Sequence, residues 1–106
     1  MTPETALTDT AALLASRIKV PQHVVYRSFP SETVVLNLQT GKYHGLNATA
    51  GRMLEELERS SCLAEAAAAL AGVYEQPREV LERDLCELCQ SLLQRGLVEV
   101  EGASAD

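Results

Sequence analysis

Cys86 and Cys89 are spaced as a C-x-x-C pair, the arrangement that redox thiols and zinc sites use. Either chemistry needs the thiols in a partly exposed turn, or two further ligands at matching spacing. Here the pair falls inside a long helical pattern, no second pair exists, and Cys62, His23 and His44 are scattered. The thiols therefore read as structural. His44 lies between Tyr43 and Gly45 and reads as a surface contact; His23 carries no signal. A catalytic base would need a nucleophile and an orienting acid. Ser28, Ser31 and Asp84 are available, but nothing in their spacing organises them. Glu55, Glu56 and Glu58, with Glu82, Asp84 and Glu87, read as solvated helix faces rather than as an acid–base or metal site. Gly41 and Gly45 make no phosphate loop, because no Gly-rich strand-to-helix turn follows them. Gly41 reads as a hairpin turn and Gly45 as room for close backbone approach. The residues thus assign no catalytic group, no metal and no cofactor, and the expectation is a protein that is not an enzyme.

Composition bounds the alternatives. The chain of 106 residues suits one domain with one modest core, and its 46% apolar fraction is ordinary for a folded protein. With no Trp and one Phe, that core must be mostly Leu, Val and Ala. A net charge of −6 argues against nucleic acid, which needs a surplus of Lys and Arg on one face. It suits a basic peptide or another protein better. No segment carries the roughly 18 consecutive apolar residues of a membrane span. The N-terminus lacks a basic region followed by an apolar run. Three Cys, an odd count, give no sign of an oxidising compartment, so a cytoplasmic protein with free thiols is expected.

The elements that must position these residues follow in order. Residues 1–16 are rich in Thr and Ala and read as a flexible arm with a loose helical pattern. Arg17 to Val20 reads as an extended lead-in before Pro21. Val24 to Phe29 is rich in β-branched and aromatic residues and predicts a first strand. Thr33 to Leu38 predicts a second, with Val34, Leu36 and Leu38 on one face and Thr33, Val35 and Asn37 on the other. Gln39-Thr40-Gly41 closes a hairpin, and Lys42 to Leu46 is a third strand. Asn47 is a good N-cap, and Ala50, Met53, Leu54 and Leu57 share a helical face after it. A second helix runs from Leu63 to about Tyr74, with Ser61 or Cys62 as its cap and Glu65 in its first turn. The third, Pro77 to Arg95, carries a regular stripe of Leu81, Leu85, Leu88 and Leu92, widened by Val80, Cys89 and Leu93. Pro77 fits the first helical position and Gly96 the position after the helix. Leu97 to Val100 reads as an extended tail able to pack back as a wing, and residues 101–106 as a flexible end. The fold class is α+β: a three-stranded antiparallel sheet followed by three helices, resembling a winged helix-turn-helix.

The third strand has no strand after it, so its outer edge can be free. A free edge is where an extended peptide can add itself, or where a second copy can pair to give a homodimer. The apolar stripe of the third helix would supply a second wall beside that edge.

The run VVLNLQTGKYHGLNATAGRMLEEL, the Ala-rich second helix, and EVLERDLCELCQSLLQRGLVEV resemble the PqqD-like family. These are the RiPP recognition elements of ribosomal peptide natural-product pathways, including those of PQQ and lasso peptides. The resemblance covers about Val20 to Val100, and its most specific parts are Thr40 to Asn47 and Arg95 to Val100. It implies a non-catalytic protein that binds the leader region of a precursor peptide. The leader would add to the third strand, pack against the third helix, and be presented to a modifying enzyme such as a radical SAM enzyme or a leader peptidase. Carried over by position, the peptide contacts are Lys42, Tyr43, His44, Gly45 and Leu46 on the strand. On the helix they are Leu81, Leu85, Leu88, Cys89 and Leu92, some of which must face the core. Cys62 departs from the family, which often has Thr or Ser there, and the Cys pair has no family role. The rival reading is a winged-helix DNA-binding regulator. It would need a basic outer face on the third helix, where Arg78, Arg83 and Arg95 stand against Glu79, Glu82, Asp84 and Glu87.

Overall fold

A computed structural model describes residues 10–101 of the chain. The elements run α1 (Thr10–Leu14), β1 (Arg17–Lys19), β2 (Val24–Ser28), β3 (Glu32–Asn37) and β4 (Lys42–Asn47). They continue with α2 (Ala48–Arg59), α3 (Leu63–Tyr74), α4 (Arg78–Gln94) and β5 (Glu99–Glu101). The α+β class and the three-stranded antiparallel sheet, in the order β2-β3-β4, are as expected. The hairpin between β3 and β4 is shaped by Asn37, whose side-chain oxygen accepts from the Gln39 and Thr40 N–H groups. Gly41 completes it at φ 76°, a conformation that glycine adopts without a Cβ clash.

The register places Tyr26, Val35 and His44 in one row and Val25, Leu36 and Tyr43 in the next. Because side chains alternate, the first row faces inward and the second outward. Thr33, Val35 and Asn37 form the buried face of β3, and Val34 and Leu36 are left half-buried on the outside. Of the two faces read from the sequence, the one carrying Thr and Asn is thus the core face. Its polar atoms are partnered: Thr33 Oγ1 donates to Ser28 Oγ at 3.2 Å, and the Asn37 side chain serves the turn.

α2 starts at Asn47, whose side chain accepts from the Ala50 N–H at 2.8 Å, and it packs on β3 and β4. Gly51 is the point of closest approach, where an added Cβ would stand 2.0 Å from Thr33 Oγ1. Two more bonds tie this helix to the sheet. The Tyr26 hydroxyl donates to Glu58 at 2.5 Å and the Ser28 hydroxyl to Glu55 at 2.6 Å. Glu55 and Glu58 are therefore tethers, not the freely solvated carboxylates expected. Burial of the Tyr26 hydroxyl, reinforced by the Glu58 carboxylate, raises its pKa well above the ordinary tyrosine value.

α3 spans the expected residues with Cys62 at its N-cap, but the Cys62 side chain makes no capping bond. Glu65 instead accepts from the Ser61 N–H at 3.0 Å. Pro77 stands at the N-cap of α4 rather than at its first helical position. The end of α4 is a Schellman turn. Gly96, at φ 72°, donates to the Leu93 carbonyl at 3.1 Å, and Leu97 donates to Leu92 at 2.9 Å. That turn sends Leu97 and Val98 into the core and delivers β5 to β1, where Ile18 pairs with Val100. An Arg17–Glu101 ion pair at 3.3 Å closes this two-stranded wing.

The arm differs from expectation in its described part. Thr10–Leu14 is helical and Leu13 is 2% exposed, packed where α1 meets α3 and α4. The Ser16 carbonyl accepts the Leu63 N–H at 2.9 Å, so the chain before β1 is bonded to the start of α3. Residues 1–9 of that arm, and residues 102–106 of the expected tail, lie outside the described residues. Among the described residues, no helix is long and apolar enough to cross a membrane.

Candidate functional site

β4 pairs with β3 on one side, and among the described residues no strand lies on its other side. The phase of the ladder tells which of its backbone groups are free. Phe29 N–H donates to the Glu32 carbonyl and Leu38 N–H to the His23 carbonyl, both at 2.7 Å. In an antiparallel ladder such bonds recur every second residue. Glu32, Val34 and Leu36 therefore turn their backbone groups to β2, and Thr33, Val35 and Asn37 turn theirs to β4. By the same alternation Lys42, His44 and Leu46 bond to β3. The N–H and C=O groups of Tyr43 and Gly45 point out from the open edge.

The side chains along this edge divide between the faces. Lys42 and His44 lie on the inner face, exposed and half-buried, and Leu46 beneath α2 is buried. Tyr43 is on the outer face and 72% exposed. Gly45 has an ordinary φ, and a Cβ added to it would meet nothing within 4 Å. All five strand positions named from the sequence thus sit on one accessible element or directly beneath it.

The helix positions do not. Leu81, Leu85, Cys89 and Leu92 are between 0% and 3% exposed, in the shared core of α3 and α4. Leu88 alone of those five is half-buried and reaches the surface. The physical reason is the Ala run of α3. Ala66 and Ala67 let the two helices approach closely, so the leucine stripe is spent on that contact. The sheet is covered by α2 rather than by α4.

The other candidates for chemistry are dispersed. Cys86 and Cys89 are 4% and 0% exposed. Burial pushes both thiols up, Cys89 to about 12, the opposite direction from the lowering that marks a reactive thiolate. Ser28 lies on β2 and bonds Glu55, with β3 between it and His44. Among the described residues, no group of three His, Cys, Asp or Glu side chains is placed to hold a metal ion. On α4, Arg78 pairs with Glu82 at 3.3 Å and Arg83 lies 3.9 Å from Asp84, which leaves little free positive charge on that helix.

A feature that sequence reasoning did not single out is the outer face of the sheet. Val25, Arg27, Phe29, Val34, Leu36 and Tyr43 line an open groove of about 380 Å³ there. The signal was present in VVLNL, where both faces of one strand carry apolar side chains.

Relatives agree with this architecture. No curated protein matches the chain. Two solved structures share its fold at a TM-score of 0.69. One, described as TbiB1 in complex with the TbiA(beta) leader peptide, is 35% identical, covering 83% of this chain and 99% of that one. The other, described as lasso peptide synthetase B1 complexed with the leader peptide, is 26% identical, covering 78% and 98%. The family model for coenzyme PQQ synthesis protein D (PqqD) matches residues 32–98, from the first residue of β3 through all of α4 to the buried Val98, and the chain belongs to the PqqD family.

Proposed function

We propose that the protein binds the leader region of a ribosomally made precursor peptide and presents it to a modifying enzyme, with no chemistry of its own. The leader adds as a fourth strand to β4, bonding to the outward N–H and C=O groups of Tyr43 and Gly45. The observation that carries the reading is this open edge, on an element that the family match includes. Both solved relatives are complexes with leader peptides, which supports the same guest here. Backbone bonds supply register, and side-chain contacts on the two faces supply specificity. Lys42 and His44 are the accessible side chains proposed for the inner face and Tyr43 for the outer one, and Leu88 is the one α4 position proposed as a contact. The deeply buried leucines of α4 act by holding the domain together.

The presented partner is an enzyme that acts on the bound precursor, such as a radical SAM enzyme or a leader peptidase, in the cytoplasm. The same edge offers a pairing site for a second copy, so a homodimer would compete with the leader. Fluorescence polarisation with labelled leader peptides, taken from precursor genes adjacent to the gene for this chain, tests the reading. Binding should be saturable, and Gly45→Pro, which removes an outward N–H and no β3–β4 bond, should abolish it. Tight binding by that variant would sink strand addition at β4.

A further inference from the structure

Building on β4 as a leader-binding edge, we infer that the guest strand carries an acidic side chain, Asp or Glu, directly opposite Lys42, and that Lys42 selects for it. Whole-chain charge points the other way, since a net charge of −6 favours a basic guest. That charge is unevenly spread. The acids concentrate on α2, α3 and α4, whereas β4 carries Lys42 and no acid. The β3 residues beside it are neutral, for Lys42 pairs with Asn37 and His44 with Val35. Arg17, Arg59, Arg78 and Arg83 are each taken up by an ion pair; among the described residues the Lys42 ammonium has none. It stands exposed at the start of the open strand.

The ladder phase sets how closely the guest approaches this charge. Tyr43 and Gly45 make the backbone bonds to the guest, so Lys42 and His44 face it in non-hydrogen-bonded pairs. In such pairs the Cα atoms stand about 4.5 Å apart, roughly 1 Å closer than in bonded pairs, and the side chains are closer too. Directly opposed residues place their side chains on the same face, here the inner one. A carboxylate at that guest position therefore meets the ammonium group, which offers three donors and no acceptor. His44, half-buried and two residues along the same face, lies on the diagonal, where a long side chain can reach it. A basic side chain at the same position would face a like charge, with no acid on β4 to offset it. Elsewhere along the strand β4 offers the guest no second Lys or Arg, so the preference for an acid is confined to one position.

The test is a selection of displayed short peptides on the full chain, run in parallel on Lys42→Gln and Lys42→Glu, with thermal melts confirming that both variants fold. On the wild-type chain, one peptide position should be enriched in Asp and Glu. That enrichment should fade with Lys42→Gln and turn into enrichment in Lys and Arg with Lys42→Glu. In a selected peptide, replacing the acid by its amide should weaken wild-type binding about two- to fivefold at low ionic strength and hardly change binding to Lys42→Gln. The loss should shrink at high salt, which screens an exposed pair. Amide exchange at Tyr43 and Gly45 shows whether the peptide sits on this edge. Peptides that protect those amides without a positional preference for an acid, or with the same preference in Lys42→Glu, overturn the inference and leave strand addition standing. If no selected peptide protects those amides, the inference falls together with the reading it rests on.

Discussion

The sheet has two edges, and they are not equivalent. β2 and β4 each lack a neighbour on one side among the described residues. On β2 the outward-facing backbone groups belong to Val24, Tyr26 and Ser28, and the Val24 N–H is already bonded to the Pro21 carbonyl at 3.0 Å. Pro21 and Pro30 bracket that strand, and Arg27 stands exposed on it. Prolines and charge are how edges are kept from pairing. β4 has no proline, its outward donors at Tyr43 and Gly45 are uncommitted by the ladder, and one of them is glycine. The inner sides differ as well, since β2 is tethered to α2 through Tyr26 and Ser28 while β4 ends by running into that helix. One edge is thus fixed, and the other is left open among the described residues.

The strongest test of that asymmetry is proline substitution on each edge. Gly45→Pro should weaken leader binding by about 100-fold or more, because it removes a backbone donor and a pairing register together. Ser28→Pro on the opposite edge should leave binding within a few-fold, while lowering stability through loss of the Ser28 bonds with Glu55 and the buried Thr33. Equal losses in a polarisation titration would show that the edges are not functionally distinct.

The second test acts on what holds the sheet beneath α2. Gly51→Ala places a methyl group against Thr33, and overpacking of this kind costs about 1–3 kcal/mol, occasionally more. Chemical denaturation should show that loss, whereas Gly45→Ala, whose methyl group enters open space at an ordinary φ, should be more stable than the wild type by up to about 1 kcal/mol. A smaller effect is expected from the tethers. Tyr26→Phe removes one hydrogen bond, and Ser28→Ala removes two, those with Glu55 and Thr33, at typically about 1 kcal/mol each. Tyr26 also has a pH signature. Its folded pKa is raised above the unfolded value, so its contribution is present at neutral pH and is lost as the pH rises above about 10. The alkaline limb of stability should therefore be shallower in Tyr26→Phe. The least effect on function is expected from Cys86→Ala with Cys89→Ala, which should leave leader affinity unchanged; a folded double variant that no longer binds would show that the thiols take part.

Much of this was readable along the chain because it depends on neighbours in sequence. Turn chemistry at Gln39 to Gly41, the Asn47 cap and the Gly96 stop each act over a few residues, and each is legible from residue type, whereas the part that Asn37 takes in the turn is seen only in the structure. The three strand positions and the three long helices follow from apolar periodicity in the same way. Where expectation and structure part, the deciding interaction spans the chain. Glu55 and Glu58 looked like any solvated helix face because their partners, Ser28 and Tyr26, lie about 30 residues away. Gly51 gave no signal in a helical run, since its role depends on Thr33 arriving from another element. Leu13 read as part of an arm until three helices were seen to meet over it.

The sequence by itself determined the order of elements, the PqqD-like resemblance and the strand Lys42 to Leu46 as the place to look. It could not say which wall stands beside that strand. The leucine stripe of the last helix suits a sheet, a peptide or another helix equally well, because periodicity reports that a face is apolar and not what covers it. Tertiary packing made that choice, when Ala66 and Ala67 allowed α3 to take the stripe and Gly51 allowed α2 to take the sheet. The ladder phase is of the same kind, for it needs two strands in register before Tyr43 and Gly45 can be recognised as the residues whose backbone faces outward.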